Sequence, residues 1–194
     1  MSLVNLWFVL IAVLFTGYLV LEGFDFGVGM LLHPVGKSLE ERRRVLRTIG
    51  PVWDGNEVWV LTAGGAIFAA FPEWYATLFS GYYMALFLIL IALIVRVMAL
   101  EYRNKDDGER WQRRWDIAIA VSSAVPALLW GVAFANIVGG SPIGANGAYA
   151  GTFWDLLHPY SILGGLVTLL LFALHGAAYL ALRSDGVIRD RANA

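Results

Sequence analysis

WYATLFSGYYMALFLILIALIV occupies residues Trp74–Val95 and contains no Asp, Glu, Lys or Arg. At a helical rise of about 1.5 Å per residue, this run is long enough to cross the roughly 30 Å hydrocarbon core of a bilayer. The same holds twice more further along the chain. No charged residue occurs from Ile117 to Trp154 or from Leu156 to Leu182. Over the whole chain 59% of residues are hydrophobic and 15% charged, with a mean hydropathy of +0.65; a soluble domain carries about 25% charged residues. The reading is an all-α integral membrane protein of four-helix-bundle type. About five transmembrane helices are expected, near Leu6–Leu32, Trp53–Phe71, Tyr75–Met98, Ile117–Val138 and Leu156–Leu182.

The first apolar stretch lacks a basic leader and a small-residue cleavage site, so it reads as a retained span. Cysteine is absent, which excludes disulfides, thiolate metal ligands and cysteine nucleophiles. The net charge of −1 selects no partner class, and nothing points to nucleic acid. No internal repeat or second domain is visible, so residues 1–194 form one helical domain.

Charge placement predicts orientation. Lys37, Arg42, Arg43, Arg44 and Arg47 lie between the first and second spans. Arg103, Lys105, Arg110, Arg113 and Arg114 lie between the third and fourth, and Arg183, Arg189 and Arg191 follow the fifth. The other connections hold no cation. Because Lys and Arg concentrate in cytoplasmic loops, the N-terminus is predicted outside and the C-terminus in the cytoplasm. Arg96, inside the third span, is the one cation left over.

Gly23, Gly27 and Gly29, with Gly64–Gly65 and Gly164–Gly165, have the small side chains that let helix backbones approach in lipid. Trp7, Trp74, Trp130 and Trp154 fall mostly near predicted span ends, where amphipathic rings settle. Pro126 interrupts the hydrogen bonding of the fourth span.

Chemical promise lies in acids where acids are expensive. Glu22 and Asp25 share one face of the first span, and a mid-membrane Asp costs at least ~2.5–3.5 kcal/mol. Asp25 lies on the order of 10 Å from the basic end. Asp54 and Glu57 open the second span within Trp53-Asp54-Gly55-Asn56-Glu57. Approaching from the same end, up to four carboxyls are expected to converge, and carboxyls crowded away from water share protons. Such a constellation suits proton uptake from the cytoplasm. Two plainer readings stand beside it. Asp54 and Glu57 fit an Asp-x-x-Glu capping box, and Glu22 and Asp25 fit ion pairs with Arg96, for which Glu101 is a further partner. His33 and His158 lie near span ends. His175 lies deeper, but is seventeen residues from His158, about 25 Å by helical rise, so the two cannot clamp one haem.

The segments Leu21-Glu22-Gly23-Phe24-Asp25-Phe26-Gly27-Val28-Gly29-Met30 and Gly50-Pro51-Val52-Trp53-Asp54-Gly55-Asn56-Glu57-Val58-Trp59 resemble signatures of subunit II of cytochrome bd-type quinol oxidases. So do Thr62–Pro72, Phe79-Ser80-Gly81, the region of Arg96, Trp115-Asp116 and Gly131–Asn136. The resemblance implies a longer subunit of two four-helix bundles and an extra helix, of which this chain is the first bundle. It implies a bacterial cell-membrane complex that oxidises quinol and reduces oxygen to water. Haem b and haem d are then bound by the partner, subunit I, and none by this chain; small accessory transmembrane subunits and a bound lipid or quinone are compatible. The resemblance also gives Asp54 and Asp25 a place in the proton path, with Glu57 and Glu22 beside them and Trp53, Asn56 and Arg96 as structural neighbours. An alternative from the residues alone is a proton- or ion-coupled transporter, whose sites usually lie nearer the midplane.

Overall fold

The computed structural model describes residues 2–145 and 147–194. Helix α1 (Leu3–Met30) starts at Ser2, whose hydroxyl accepts from the Asn5 amide. Beyond it, α2 (Leu32–Val35) is a single turn and α3 (Leu39–Ile49) an amphipathic helix. Next come α4 (Trp53–Ala70), α5 (Pro72–Gly81), α6 (Tyr83–Tyr102), α7 (Glu109–Gly139), α8 (Pro159–Arg183) and α9 (Val187–Ala192).

Among the described residues, four helices, α1, α6, α7 and α8, are long and apolar enough to cross a membrane. The chain is a multi-pass, all-α membrane protein. Helix α4, predicted as the second of five spans, does not reach that standard because Asp54, Asn56 and Glu57 fall in its first turns. A second difference concerns the quoted stretch. The helix expected over Tyr75–Met98 is divided at Tyr82, where α5 ends and α6 begins. Tyr82 is pinned from outside by a short hydrogen bond between its hydroxyl and that of Ser141, and Gly81 lies against the Tyr149 ring. Hydropathy is continuous through this break, so nothing local announces it.

Helices α1 and α7 occupy the centre: α7 packs on α6 and α8, and α1 on α8, α4 and α7. The closest crossing is Gly27 against Gly176. A Cβ on Gly27 would stand 2.0 Å from the Phe172 carbonyl oxygen and 2.7 Å from Gly176 Cα. Gly131 and Gly164 make the same kind of approach between α7 and α8. Gly64 and Gly65 do not join a contact as expected; a Cβ on either meets nothing within 4 Å. Trp130 also departs from expectation. It is buried in the bundle, where its indole donates to the Tyr18 hydroxyl at 3.2 Å. Helix α7 runs on through Pro126.

Helix α3 covers the basic end of the bundle. The Ser38 hydroxyl accepts from the Glu41 amide while the Glu41 carboxylate accepts from the Ser38 amide, a reciprocal cap. Val45, Leu46 and Ile49 are buried against the bundle, and Arg44 and Arg47 point out. Asp116, at the edge of the apolar part of α7, fastens this end. It accepts from Arg103 Nε at 2.5 Å and from Arg42 Nη1 at 3.1 Å. Both Asp116 and Arg103 are fully buried.

Candidate functional site

Three helices bring the expected acids together. Glu22 and Asp25, three residues apart on α1, face α4 and α6. From α4 come Asn56 and Glu57, and from α6 comes Arg96. Arg96 Nη1 donates to Glu22 Oε1 at 2.5 Å and to Glu57 Oε1 at 2.9 Å. Its guanidinium also lies 5.0 Å from the centre of the Phe26 ring. Asp25 takes a different partner, accepting from Asn56 Nδ2 at 2.7 Å. Glu22, Asp25 and Arg96 are completely buried, and Glu57 retains slight exposure.

The charge count matters here. Three carboxyls face one guanidinium, so the group is neutral only when it holds two protons. Burial of several carboxyls away from water disfavours having all of them charged at once. The group also has unused hydrogen-bonding capacity: Glu22 Oε2, Asp25 Oδ1 and the Nε and Nη2 of Arg96 are buried without a partner. Ser123 Oγ, in the same condition, packs on Gly29 one turn beyond Asp25.

Asp54 stands apart from this group. It is exposed at the start of α4, and its Oδ1 accepts from the Gly55 amide at 2.8 Å. So three of the four acids converge, with the fourth towards the basic end. The capping-box reading does not hold either. The N-cap of α4 is Val52, with no side-chain cap, and Glu57 is committed to Arg96. Glu101 is not the partner of Arg96; it is exposed beside Asn104. Trp53 is half-buried at the first position of α4.

The histidines occupy unrelated places. His158 caps α8, its ring accepting from the Ser161 amide, and stacks on Tyr160. His175 stands edge-on to Phe24, and His33 belongs to α2. They do not converge, and no group of three metal-ligating side chains occurs among the described residues.

Sequence reasoning missed the Asp116–Arg103–Arg42 cluster, counting its arginines only as loop cations. The signal was an acid placed directly before an uncharged run. The Tyr18–Trp130 bond gave no sequence signal.

The fold and site define a multi-pass helical membrane protein with a buried ionic group of three carboxyls and one guanidinium. The family described as "Cytochrome bd terminal oxidase subunit II" matches residues 3–194, and the chain belongs to that family. It is 47% identical over 191 residues to "Cytochrome bd ubiquinol oxidase subunit 2" of Bacillus subtilis, covering 98% of this chain and 56% of that protein. Against "Probable cytochrome oxidase subunit 2" of Haemophilus influenzae it is 47% identical, covering 96% of this chain and 50% of the relative. Against "Cytochrome bd-I ubiquinol oxidase subunit 2" of Escherichia coli K12 identity is 42%, with 97% and 51% covered. The chain thus spans about half the length of these relatives. Membership sets aside the transporter alternative.

Proposed function

We propose that this chain is the first helical bundle of subunit II in a bd-type quinol oxidase, and that it conducts protons from the cytoplasm towards the site of oxygen reduction. The observation that carries the reading is the convergence of Glu22 and Glu57 on Arg96, with Asp25 held beside them by Asn56 and with buried carboxylate oxygens left free for further hydrogen bonds. Asp54, exposed at the basic end, collects protons. Asp25, Glu57 and Glu22 pass them inward, the partnerless Asp25 Oδ1 and Glu22 Oε2 being the atoms open to exchange. Arg96 fixes the geometry and keeps the group from accumulating uncompensated negative charge. Asn56 orients Asp25, and Trp53 packs at the mouth.

In this reading the loops rich in Lys and Arg face the cytoplasm, which places the N-terminus outside. The haems b and d reside in the partner subunit, where quinol is oxidised and oxygen reduced to water. Small accessory subunits and the remainder of subunit II complete the assembly.

Asp54→Asn in the whole oxidase tests the path, because asparagine keeps the size and a hydrogen-bond acceptor but does not carry a carboxyl proton. Haem content is expected to stay normal while oxygen reduction falls by about ten-fold or more. Wild-type turnover across the physiological pH range would remove Asp54 from the path.

A further inference from the structure

At the basic end, between the outer face of α3, the start of α4 and the last turn of α8, lies a pocket of about 400 Å³. Arg44, Arg47, Thr48, Val52, Tyr179 and Arg183 line it. Its frame is rigid: the Tyr179 hydroxyl donates to the Thr48 carbonyl at 2.8 Å, locking α8 to α3, and the Arg183 guanidinium lies over the Tyr179 ring at 5.9 Å.

The arginines are uncommitted. Among the described residues, no carboxylate lies within 4 Å of Arg47 or Arg183. Arg44 has only Glu40 at 3.5 Å, an exposed pair of a kind that contributes little. The nearby acids Glu40, Asp54 and Asp185 do not line the pocket. Three guanidiniums around one concavity repel each other, and their planar donors match phosphate oxygens. Arg183 is the last residue of α8, so the pocket sits where that membrane helix ends. From there the outer face of α8 runs back as exposed hydrocarbon, with Leu182, Leu174 and Leu171 bare.

We propose that this pocket binds the phosphate headgroup of an anionic phospholipid, with the acyl chains lying along α8. Basic pockets at this membrane level hold acidic headgroups. A zwitterionic headgroup fits poorly, because its ammonium would face three guanidiniums. The tie to the lipid fastens α3 and α8 to the membrane surface beside Asp54, and it does not depend on the proton-path reading.

The test uses the purified, delipidated whole oxidase in detergent and native mass spectrometry. Phosphatidylglycerol, phosphatidylcholine and inorganic phosphate are titrated separately against wild type, against Arg47→Gln with Arg183→Gln, and against Arg110→Gln with Arg113→Gln as a charge-matched control. Phosphatidylglycerol is expected to bind wild type and the control alike. The pocket variant should lose about ten-fold or more in affinity. Equal binding of phosphatidylcholine, equal loss in the control, or displacement of phosphatidylglycerol by inorganic phosphate would each overturn the proposal. If the pocket variant does not assemble, a photoreactive phosphatidylglycerol on wild type decides the matter. Crosslinks in Arg44–Val52 and Tyr179–Arg183 support the site, and their absence refutes it.

Discussion

Arg96 is one guanidinium serving two carboxylates inside a bundle, and removing it leaves Glu22 and Glu57 facing each other without compensation. Breaking a buried pair from one side costs about 3–5 kcal/mol. Arg96→Leu is therefore expected to lower the yield of assembled, haem-containing complex and to cut its thermal midpoint sharply. Pairing it with Glu22→Gln and Glu57→Gln, which removes the stranded charges, should restore much of the yield while leaving oxygen reduction impaired. Yield, thermal unfolding and oxygen-reduction rate of these two variants beside wild type check both statements. Asn56→Ala is a milder lesion: Asp25 loses its donor, a change worth about 1–3 kcal/mol for a buried acceptor. Arg96 was legible as an odd cation in an uncharged run. Its choice of Glu22 and Glu57 over Glu101 was not, because that depends on how α1, α4 and α6 face one another.

Glycines illustrate the same point among the elements. Gly27 and Gly64 look alike in sequence, each an isolated small residue or pair in an apolar helix. Yet a side chain on Gly27 would enter the backbone of α8, whereas one on Gly64 enters open space. Gly27→Leu is expected to abolish assembly, and Gly64→Ala to leave yield and haem spectra unchanged; membrane expression followed by absorption spectra separates the two. Helix α3 was hidden for a different reason. Its arginines read as a loop, and only the spacing of Val45, Leu46 and Ile49 betrays a buried face.

The tie between α3 and α9 carries a pH prediction. Arg191 donates to Glu41 at 2.8 Å and the Lys37 amide adds a second bond, which hold the Glu41 carboxyl below its ordinary value of 4.5. A carboxyl depressed in the folded state stabilises fully above its ordinary value and loses that contribution as pH falls through the lower, folded one. Hydrogen exchange in Val187–Ala192, corrected for intrinsic rate, should be flat above pH 4.5 and accelerate below it. Glu41→Gln should remove the step.

For the molecule as a whole, sequence was enough for the membrane class, the basic end and the family. Charge-free runs and loop cations report on solvent, and solvent acts on each segment separately. It was not enough for the division at Tyr82, which is made by Ser141 and Tyr149 from a distant loop. The start of α4 at Trp53 agrees with the span read from sequence, and with Val52 as the N-cap it is this start that dissolves the capping box at Asp54. Up to four acids are expected to converge from sequence; Glu22 and Glu57 meet at Arg96 with Asp25 on Asn56 beside them, and Asp54 is exposed at the start of α4.

The claim that this buried group carries protons is tested most directly at Asp25. Asp25→Asn keeps an oxygen able to accept from Asn56, so the local hydrogen bond survives while the titrating carboxyl is lost. The measurement is oxygen-driven proton uptake, followed with a pH indicator, by the whole oxidase in liposomes with the basic loops facing the indicator. The account predicts normal haem content with proton uptake and oxygen reduction slowed together, by about ten-fold or more. Wild-type rates of both in the assembled variant would contradict it.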